Sequence, residues 1–565
     1  MKNKKVSKNL VNEVIKLLNE QKYQEILFHE KKFDIDKLEN ALLIYLFGTN
    51  RLALNDLNLA ENYLLKSIKM NDKFAEAYSN LGILYEKQEK FDLALKFLKK
   101  SIELKPKYYE GNFNTATLYA KKKDYKAAIK YFEKALIINK NLNLLKNLVM
   151  TYINLEQFED AFKYNQMALE IDPNDHESLN RKGTILINQK KYEEATEFFK
   201  NLIKIIPNSA QVYFNLGVSF RGLKLIENEI EAYRKALIID PNNPEANHNL
   251  SLYLLREGNF NEGWRRHEHR LNVQHTQPIK RPDTNLPFWK PDCKDSRLFI
   301  WPEQGVGDVI FFAGLLPEIR KCCKSVTCAI DKRLLTLFER SIPEIKFVPT
   351  NANLFDNQFD HQLPIGSIPQ FFRNDIKDFE KTPLSYLKAD LIKSLKLEHE
   401  IGNKNKFTIG ISWRSKSTAG NNKNIDIINL VKSMKIPATF VNLQYGDVEE
   451  ELKEVKEKTG IDIVQCKSVD IYNDLDGLAS LMCACDVVVS TANVNQTIAS
   501  ALGVPTFVLV SNNPSFRWLN NGMDTIWHPN TKVFRQTLDG NWEKPINQMS
   551  QIIINLISQL YQTSA

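Results

Sequence analysis

A period dominates this chain. Small or slender side chains recur at Gly48, Gly82, Ala116, Val149, Gly183, Gly217 and Ser251, in steps of 34 residues with one step of 33. A second column keeps the same steps at Ala60, Ala94, Ala128, Ala161, Ala195, Glu229 and Gly263. A third is aromatic at Phe91, Tyr125, Phe158 and Tyr192, passes through Ile226 and returns at Phe260. Pro173, Pro207 and Pro241 form a fourth, again 34 apart. Columns that share one register define a repeated structural unit, which outranks any single motif.

Such a period holds two short helices and two turns. Where the two helices cross, only a small residue lets the backbones approach closely. The aromatic fills the groove beside that crossing. Proline closes the second helix, because it lacks an N–H and clashes with the preceding turn. One pair cannot bury its own apolar face, so the pairs stack into an α-solenoid. The segment LGILYEKQEKFDLALKFLKKSIELKP at 81–106 resembles the tetratricopeptide repeat. The resemblance implies a protein or peptide partner on the concave face; a spacer or oligomerisation arm is the alternative. The array is placed at 40–277, with residues 1–39 as degenerate capping helices. The run from Trp264 to Arg270 is basic and aromatic. It is read as the solvated end of the last helix, and no nucleic-acid partner is expected. His267 and His269 stand two apart, on different helix faces, and make a poor metal pair.

At 565 residues the chain exceeds what one core usually organises, so further domains must follow the array. A formal charge of +8 is mild for this length and is no signature of nucleic-acid binding. All seven cysteines fall after the repeats and none has C-x-x-C spacing. That pattern favours reduced, buried thiols and a cytoplasmic location. The start, MKNKKVSKNL, is followed by no apolar run, so no secretory signal is expected. No stretch reaches the roughly 18 apolar residues of a membrane span.

From 278 the pattern changes. A proline-rich segment, 278–295, reads as a linker. Short β-rich runs then alternate with helical stretches: Arg297–Trp301, Ser325–Ile330, Ile345–Val348, Phe407–Trp413, Thr439–Leu443, Ile461–Gln465, Asp486–Ser490 and Thr506–Val510. Strand–helix alternation predicts parallel sheets covered by helices. The alternation breaks near 366–405, which predicts two Rossmann-like α/β lobes, 296–390 and 404–545, and a C-terminal helix at 546–565. Ligands of such sheets sit beyond the carboxyl ends of the strands.

Three strand-to-helix loops carry chemistry. In WPEQGVGD, Gln304, Gly305 and Gly307 precede a helix; the glycines allow a tight turn and close ligand approach. The helix start offers free N–H groups to an anion or hydroxyl. The third glycine position of a dinucleotide fingerprint is Ile310, which argues against a dehydrogenase. Asp308 fits a helix cap or a general base facing a cleft, and spacing does not choose. In GISWRSKSTAGNNKN, Arg414, Lys416 and Lys423 lie among Ser415, Ser417 and Thr418. Cations and hydroxyls there suit a diphosphate; a solvated basic loop is the plainer reading. In the third loop, Asn493, Asn495 and Thr497 suit a helix N-terminus that meets a phosphate, and capping alone also accounts for them. Asp474-Leu475-Asp476 precedes an amphipathic helix, so capping is expected and no metal site is.

Taken in order, WPEQGVGD, GISWRSKS, VNLQYGD, NDLDGLASLMCACDVVVS, ASALGVPTFVLV, FRWL and KVFRQ resemble glycosyltransferase family 9, as found at the C-terminus of bacterial tetratricopeptide-repeat proteins. The resemblance runs from Gly263-Trp264 to Trp542. More distantly, the plan is similar to the repeat-bearing O-linked N-acetylglucosamine transferases. It implies a GT-B pair of lobes, the first on the acceptor side and the second binding a nucleotide-sugar co-substrate. It implies no metal and no other cofactor, since helix N-termini and cations stabilise the leaving diphosphate. Asp308 matches the family's base, and Lys416 or Lys423 its phosphate-contacting lysine. Gln304, Gly305 and Gly307 form the acceptor loop, with Arg414, Asn493, Asn495 and Thr497 on the donor side. Asp308 is then expected to face Arg414 and Asn493 across a cleft. The chain departs from the family in one place. Ala492-Asn493 and Thr497 stand where members often carry Asp-Thr and then His. Two functions follow: metal-independent sugar transfer to a hydroxyl, on a protein held by the repeats, or a non-catalytic scaffold with a degenerate transferase-like domain.

Overall fold

The computed structural model describes residues 7–273, 279, 281–352, 356–402, 406–415, 424–434 and 436–563. It divides into two compact units, Met1–Ile239 and Asp240–Ala565.

The first unit is a row of helix pairs. Lys8–Asn19 and Tyr23–Glu30 come first, then Ala41–Ala53 with Leu57–Met70 and Ala75–Lys87 with Phe91–Leu104. Tyr109–Lys121 with Tyr125–Ile138, Leu142–Asn154 with Phe158–Ile171, His176–Asn188 with Tyr192–Ile205, and Ala210–Gly222 with Ile226–Ile239 complete it. The small column sits where each pair crosses. A Cβ added to Gly82 would lie 2.5 Å from Leu98 Cγ, and one on Gly183 only 2.2 Å from Phe199 Cζ. Each aromatic of the third column opens a second helix, and Pro173 and Pro207 fall two residues beyond the ends of theirs. The opening pair is tied to the next. Glu30, nearly buried, pairs with Arg51 at 2.6 Å and accepts the Tyr63 hydroxyl at 3.0 Å.

Structure adds a column the sequence concealed. The residue before each second helix's N-cap is left-handed: Asn55, Glu89, Lys123, Glu156, Lys190 and Lys224, with φ between 58° and 63°. None of these six is glycine, so no glycine signal marked the turn. Such a conformation costs an L-residue roughly 1–2 kcal/mol.

The second unit begins with a helix pair of its own, Pro244–Arg256 and Phe260–His267, followed by a 3-10 turn at Glu268–Asn272. The array expected at 40–277 is therefore divided, its last pair grouping with the α/β region. Ten strands among the described residues form two parallel sheets. The first has β1 Arg297–Trp301, β2 Ser325–Ile330, β3 Lys346–Pro349 and β4 His361–Pro364, in the order β3-β2-β1-β4. The second has β5 Thr408–Ser412, β6 Thr439–Asn442, β7 Ile463–Val464, β8 Val487–Thr491, β9 Thr506–Val510 and β10 Thr531–Arg535, in the order β10-β9-β8-β5-β6-β7. Both β4 and β10 went unread: the first is four residues ending in proline, the second a short TKVFR next to no helical pattern. The closing helix starts at Glu543, earlier than expected, and buries Ile546, Met549, Ile553 and Ile557 against the second sheet's core.

Two expectations are corrected. The segment placed as a linker is part of the fold: Trp289 is buried, its N–H donates to the Gln362 carbonyl at 2.9 Å, and the Gln362 N–H reaches Pro287 at the same distance. The basic run is not solvated at its end. Arg270 is 1% exposed and His267 is 5% exposed. Trp264 is buried too, donating from its indole to the Arg373 carbonyl at 2.7 Å. An amphipathic helix end was the cheaper reading only while no element was known to cover it.

The helix crossing and the turn between the helices make opposite predictions for two changes involving glycine. Gly183→Leu should lower the urea midpoint by an amount corresponding to about 1–3 kcal/mol, from overpacking against Phe199. Lys123→Gly should raise stability by up to about 1 kcal/mol by removing the left-handed penalty.

Candidate functional site

In the second sheet the chain runs outward from β5 to β7 and returns to β8, beside β5. The carboxyl ends of β5 and β8 therefore flank a topological switch point, the usual ligand crevice of such sheets. The second and third loops of the sequence meet there. Asn493 caps the helix Val494–Leu502, its Oδ1 accepting from the Asn495 and Gln496 amides at 3.0 and 3.2 Å. Its Nδ2 donates to Ser412 Oγ at 2.9 Å and to the Arg414 carbonyl at 3.2 Å. Asn495 is buried and donates to Ser412 Oγ and the Leu443 carbonyl. Thr497 is buried, its hydroxyl on the Asn493 carbonyl. Gln444, not singled out from the sequence, is the hub of this floor: its Oε1 accepts from the Trp413 and Arg414 amides at 3.0 and 2.9 Å and from Ser412 Oγ. The Arg414 guanidinium turns away to Glu451 at 2.9 Å and the Asp447 carbonyl at 2.6 Å. Lys416 and Lys423 lie outside the described residues.

On the other lobe, Gln304 and Gly305 are exposed at the end of β1. Gly305 is the N-cap of the helix Val306–Ala313 with φ −72° and ψ 172°, a conformation any residue adopts. The tight turn expected of the glycines is absent. Their effect is space, since a Cβ on Gly305 would meet only Asp308 Oδ2, at 3.9 Å, and one on Gly307 would approach Val494 Cα at 3.8 Å. Asp308 is not the cap; it lies inside the first turn with its side chain 27% exposed. Its carboxylate pairs with Arg517, from the loop between β9 and β10, and not with Arg414. The Arg517 guanidinium stands 4.1 Å from the Phe311 ring centre.

Beneath this pair lies an aromatic cluster. Trp527 sits 4.7 Å from both Phe311 and Phe379, and Trp264 reaches Trp527 and Phe516. His528 is fully enclosed there. Burial, and then the charge of Arg517, lower its pKa to about 3.

At the first sheet's switch point, between the ends of β1 and β4, the loop carries Glu303. Arg270 fills this position, bonded to Glu303 at 2.6 and 2.7 Å, Ser367 Oγ at 2.8 Å and Glu268 at 2.7 Å. Glu303 also accepts the Gly366 amide at 2.8 Å. Burial works against the Arg270 charge, but Glu303 and Glu268 outweigh it and raise its pKa. The D-x-D sequence is likewise structural: Asp474 caps the helix Leu475–Cys483 and pairs with Lys393 at 2.8 Å, while Asp476 pairs with Arg340.

In the first unit, first helices of neighbouring pairs approach one another, as Ala75–Lys87 does Tyr109–Lys121. They form its inner face. Asn80, Asn114, Asn147, Arg181 and Asn215 make one column along it. Asn80 donates to Thr49 Oγ1 at 2.8 Å and Asn215 to Asn180 Oδ1 at 2.8 Å, bridging successive pairs.

Comparison with known proteins agrees with the repeats. Residues 75–108, 109–142, 164–197 and 210–243 each match a tetratricopeptide repeat model. The chain is thus a tetratricopeptide-repeat solenoid joined to a parallel α/β region, and such repeats point to protein–protein interaction. It is similar to Protein FlbA of Caulobacter vibrioides, 27% identical over 321 residues that make up 53% of either chain. It therefore spans about half the length of that relative. Among solved structures, it is similar to YrrB, described as a TPR protein with an unusual peptide-binding site, at 30% identity and TM-score 0.29, covering 33% of this chain and 96% of that one. It is also similar to the MamA protein, at 18% identity and TM-score 0.27, covering 30% and 92%. Among the described residues, no helix is long and apolar enough to cross a membrane.

Two buried groups give measurable signatures. Arg270→Met strands Glu303 in the interior and should cost about 3–5 kcal/mol, and adding Glu303→Gln should recover part of it. His528 remains neutral in the fold to about pH 3, whereas the unfolded imidazole takes a proton below its ordinary 6.5. Its contribution is therefore whole above pH 6.5 and lost as pH falls toward 3, by about 1.4 kcal/mol per pH unit. Denaturant unfolding of His528→Gln from pH 7 to 4 should show a correspondingly shallower loss than the parent chain.

Proposed function

We propose that the α/β region is a GT-B-like glycosyltransferase that moves a sugar from a nucleotide-sugar donor to a hydroxyl, and that the repeats hold a protein or peptide acceptor. The observation that carries the reading is the setting of Asp308. A partly exposed carboxylate lies in the first turn of the helix after β1, beside a cation supplied by the second lobe. In this reading Asp308 takes the acceptor's proton, and the second lobe's switch point receives the nucleotide. No metal is invoked, since a guanidinium and helix N-termini serve the developing diphosphate charge. The asparagine column of the inner repeat face supports the acceptor role, because an amide side chain can both donate to and accept from a peptide backbone.

A scaffold with no chemistry is the second reading. The internal engagement of Arg414, Asn493 and Asn495 favours it, because the asparagines are spent on the loop floor and the guanidinium on Glu451.

A thermal-shift screen of UDP-, GDP-, ADP- and dTDP-sugars separates the two. A donor that binds only the folded state raises the melting point. Donor-dependent stabilisation, with transfer reduced about 10²- to 10⁴-fold in Asp308→Asn, is the outcome expected of a transferase using this base. Transfer unchanged in that variant removes Asp308 from the role, and no response to any donor leaves the scaffold.

A further inference from the structure

The loop between β9 and β10 carries the cation that stands beside Asp308. Arg517 extends from it across to the other lobe, where its guanidinium pairs with Asp308 and lies on the Phe311 ring. The loop is fastened from behind. Arg256 donates to Asn513 at 3.1 Å, Asn520 bonds Glu257, and Phe516 packs edge-on to Trp264 at 5.6 Å. Two residues beyond Arg517, Leu519 stands at φ +49°, a backbone region that leucine rarely occupies. The arginine is thus held at this place by contacts on both sides.

Its position contrasts with that of Arg414, whose guanidinium is taken by Glu451 and the Asp447 carbonyl on the far side of its loop. Among the described residues, Asp308 is the acidic side chain paired with Arg517, which keeps 18% of its side chain exposed. A guanidinium fork accepts a carboxylate and a phosphate in the same geometry. A diphosphate brings more negative charge than one aspartate, so it competes well for the same fork.

We propose that Arg517 is the catalytic cation for the leaving diphosphate, and that without donor it occupies Asp308, so that donor binding is what frees the base. This rests on the transferase reading. The acceptor hydroxyl passes its proton to the Asp308 carboxylate, and its oxygen forms the bond to the anomeric carbon. The bond from that carbon to the diphosphate oxygen breaks, and the electron pair leaves with the nucleoside diphosphate, against Arg517. Arg517 holds Asp308 Oδ1, and that oxygen is the one closed to an acceptor hydroxyl while the pair persists. Donor and base are therefore coupled: the first charge to arrive on Arg517 opens Asp308 for the second substrate.

The test is a binding cycle by titration calorimetry on the full chain, with UDP, GDP and ADP as probes at one ionic strength. Arg517→Gln should weaken the bound nucleotide at least tenfold, and Arg517→Lys by less. Asp308→Asn should tighten it at least tenfold, because the competitor for Arg517 is gone. That tightening should vanish in Asp308→Asn/Arg517→Gln, which separates exchange at Arg517 from general charge repulsion. Wild-type binding with equal tightening in both backgrounds, or with none, overturns the exchange while leaving the transferase reading standing. Failure of the wild type and Asp308→Asn to bind any of the three probes, or dTDP, overturns both. Should Arg517→Gln prove unfolded by thermal melting, the cycle is read in Arg517→Lys, where the tightening must shrink.

Discussion

The α/β unit is organised around the buried pairing of Arg270 with Glu303. One partner comes from the turn that ends the last helix pair, the other from the loop that leaves β1. Both are nearly free of solvent, so neither tolerates loss of the other; an uncompensated buried charge costs several kcal/mol. The pair sets the helix end, the β1 loop and the turn at Ile365–Ser367 against each other, since Gly366 and Ser367 bond to the same two side chains. A Cβ on Gly366 would lie 2.5 Å from Glu303 Oε1, so even the glycine there answers to the ion pair. The WPEQGVGD loop continues from this anchor, which lies five residues before Asp308.

From that anchor the site's electrostatics follow. Glu303 is spent internally, which leaves Asp308 as the carboxylate of WPEQGVGD with solvent access. Across from it the second lobe supplies Arg517, while Arg414 is drawn off by Glu451. The aromatic cluster around Trp527 encloses His528, whose burial lowers its pKa. A polar rim above an apolar floor is the kind of place where one charge can be exchanged for another without reorganising the fold.

Much of this was legible early because it rests on local rules. A period of 34 residues cannot be satisfied without close helix crossings, and Gly82 and Gly183 behave as that requires. The main strands were read nearly to their ends because parallel strands buried on both faces form continuous apolar runs. Short or proline-ended strands such as β4 lacked that signal. Asp308 was singled out by its place after a strand, yet its partner was invisible: Arg517 lies 209 residues away in sequence. Gln444 lies within VNLQYGD, yet its role was hidden for a similar reason, since the Ser412, Trp413 and Arg414 groups it bonds come from another strand's end.

What the chain's residues settled alone was the repeat, the alternation of strand and helix, and the loops worth inspecting, because each depends on neighbours a few positions apart. What folding alone decided was which charges are free. Arg270 looked solvated and is buried; Arg414 looked available and is engaged; Arg517, carried only within FRWL, meets Asp308. A side chain's charge is written in the sequence, but its partner is chosen by topology, which brings together the ends of strands and loops that no spacing connects.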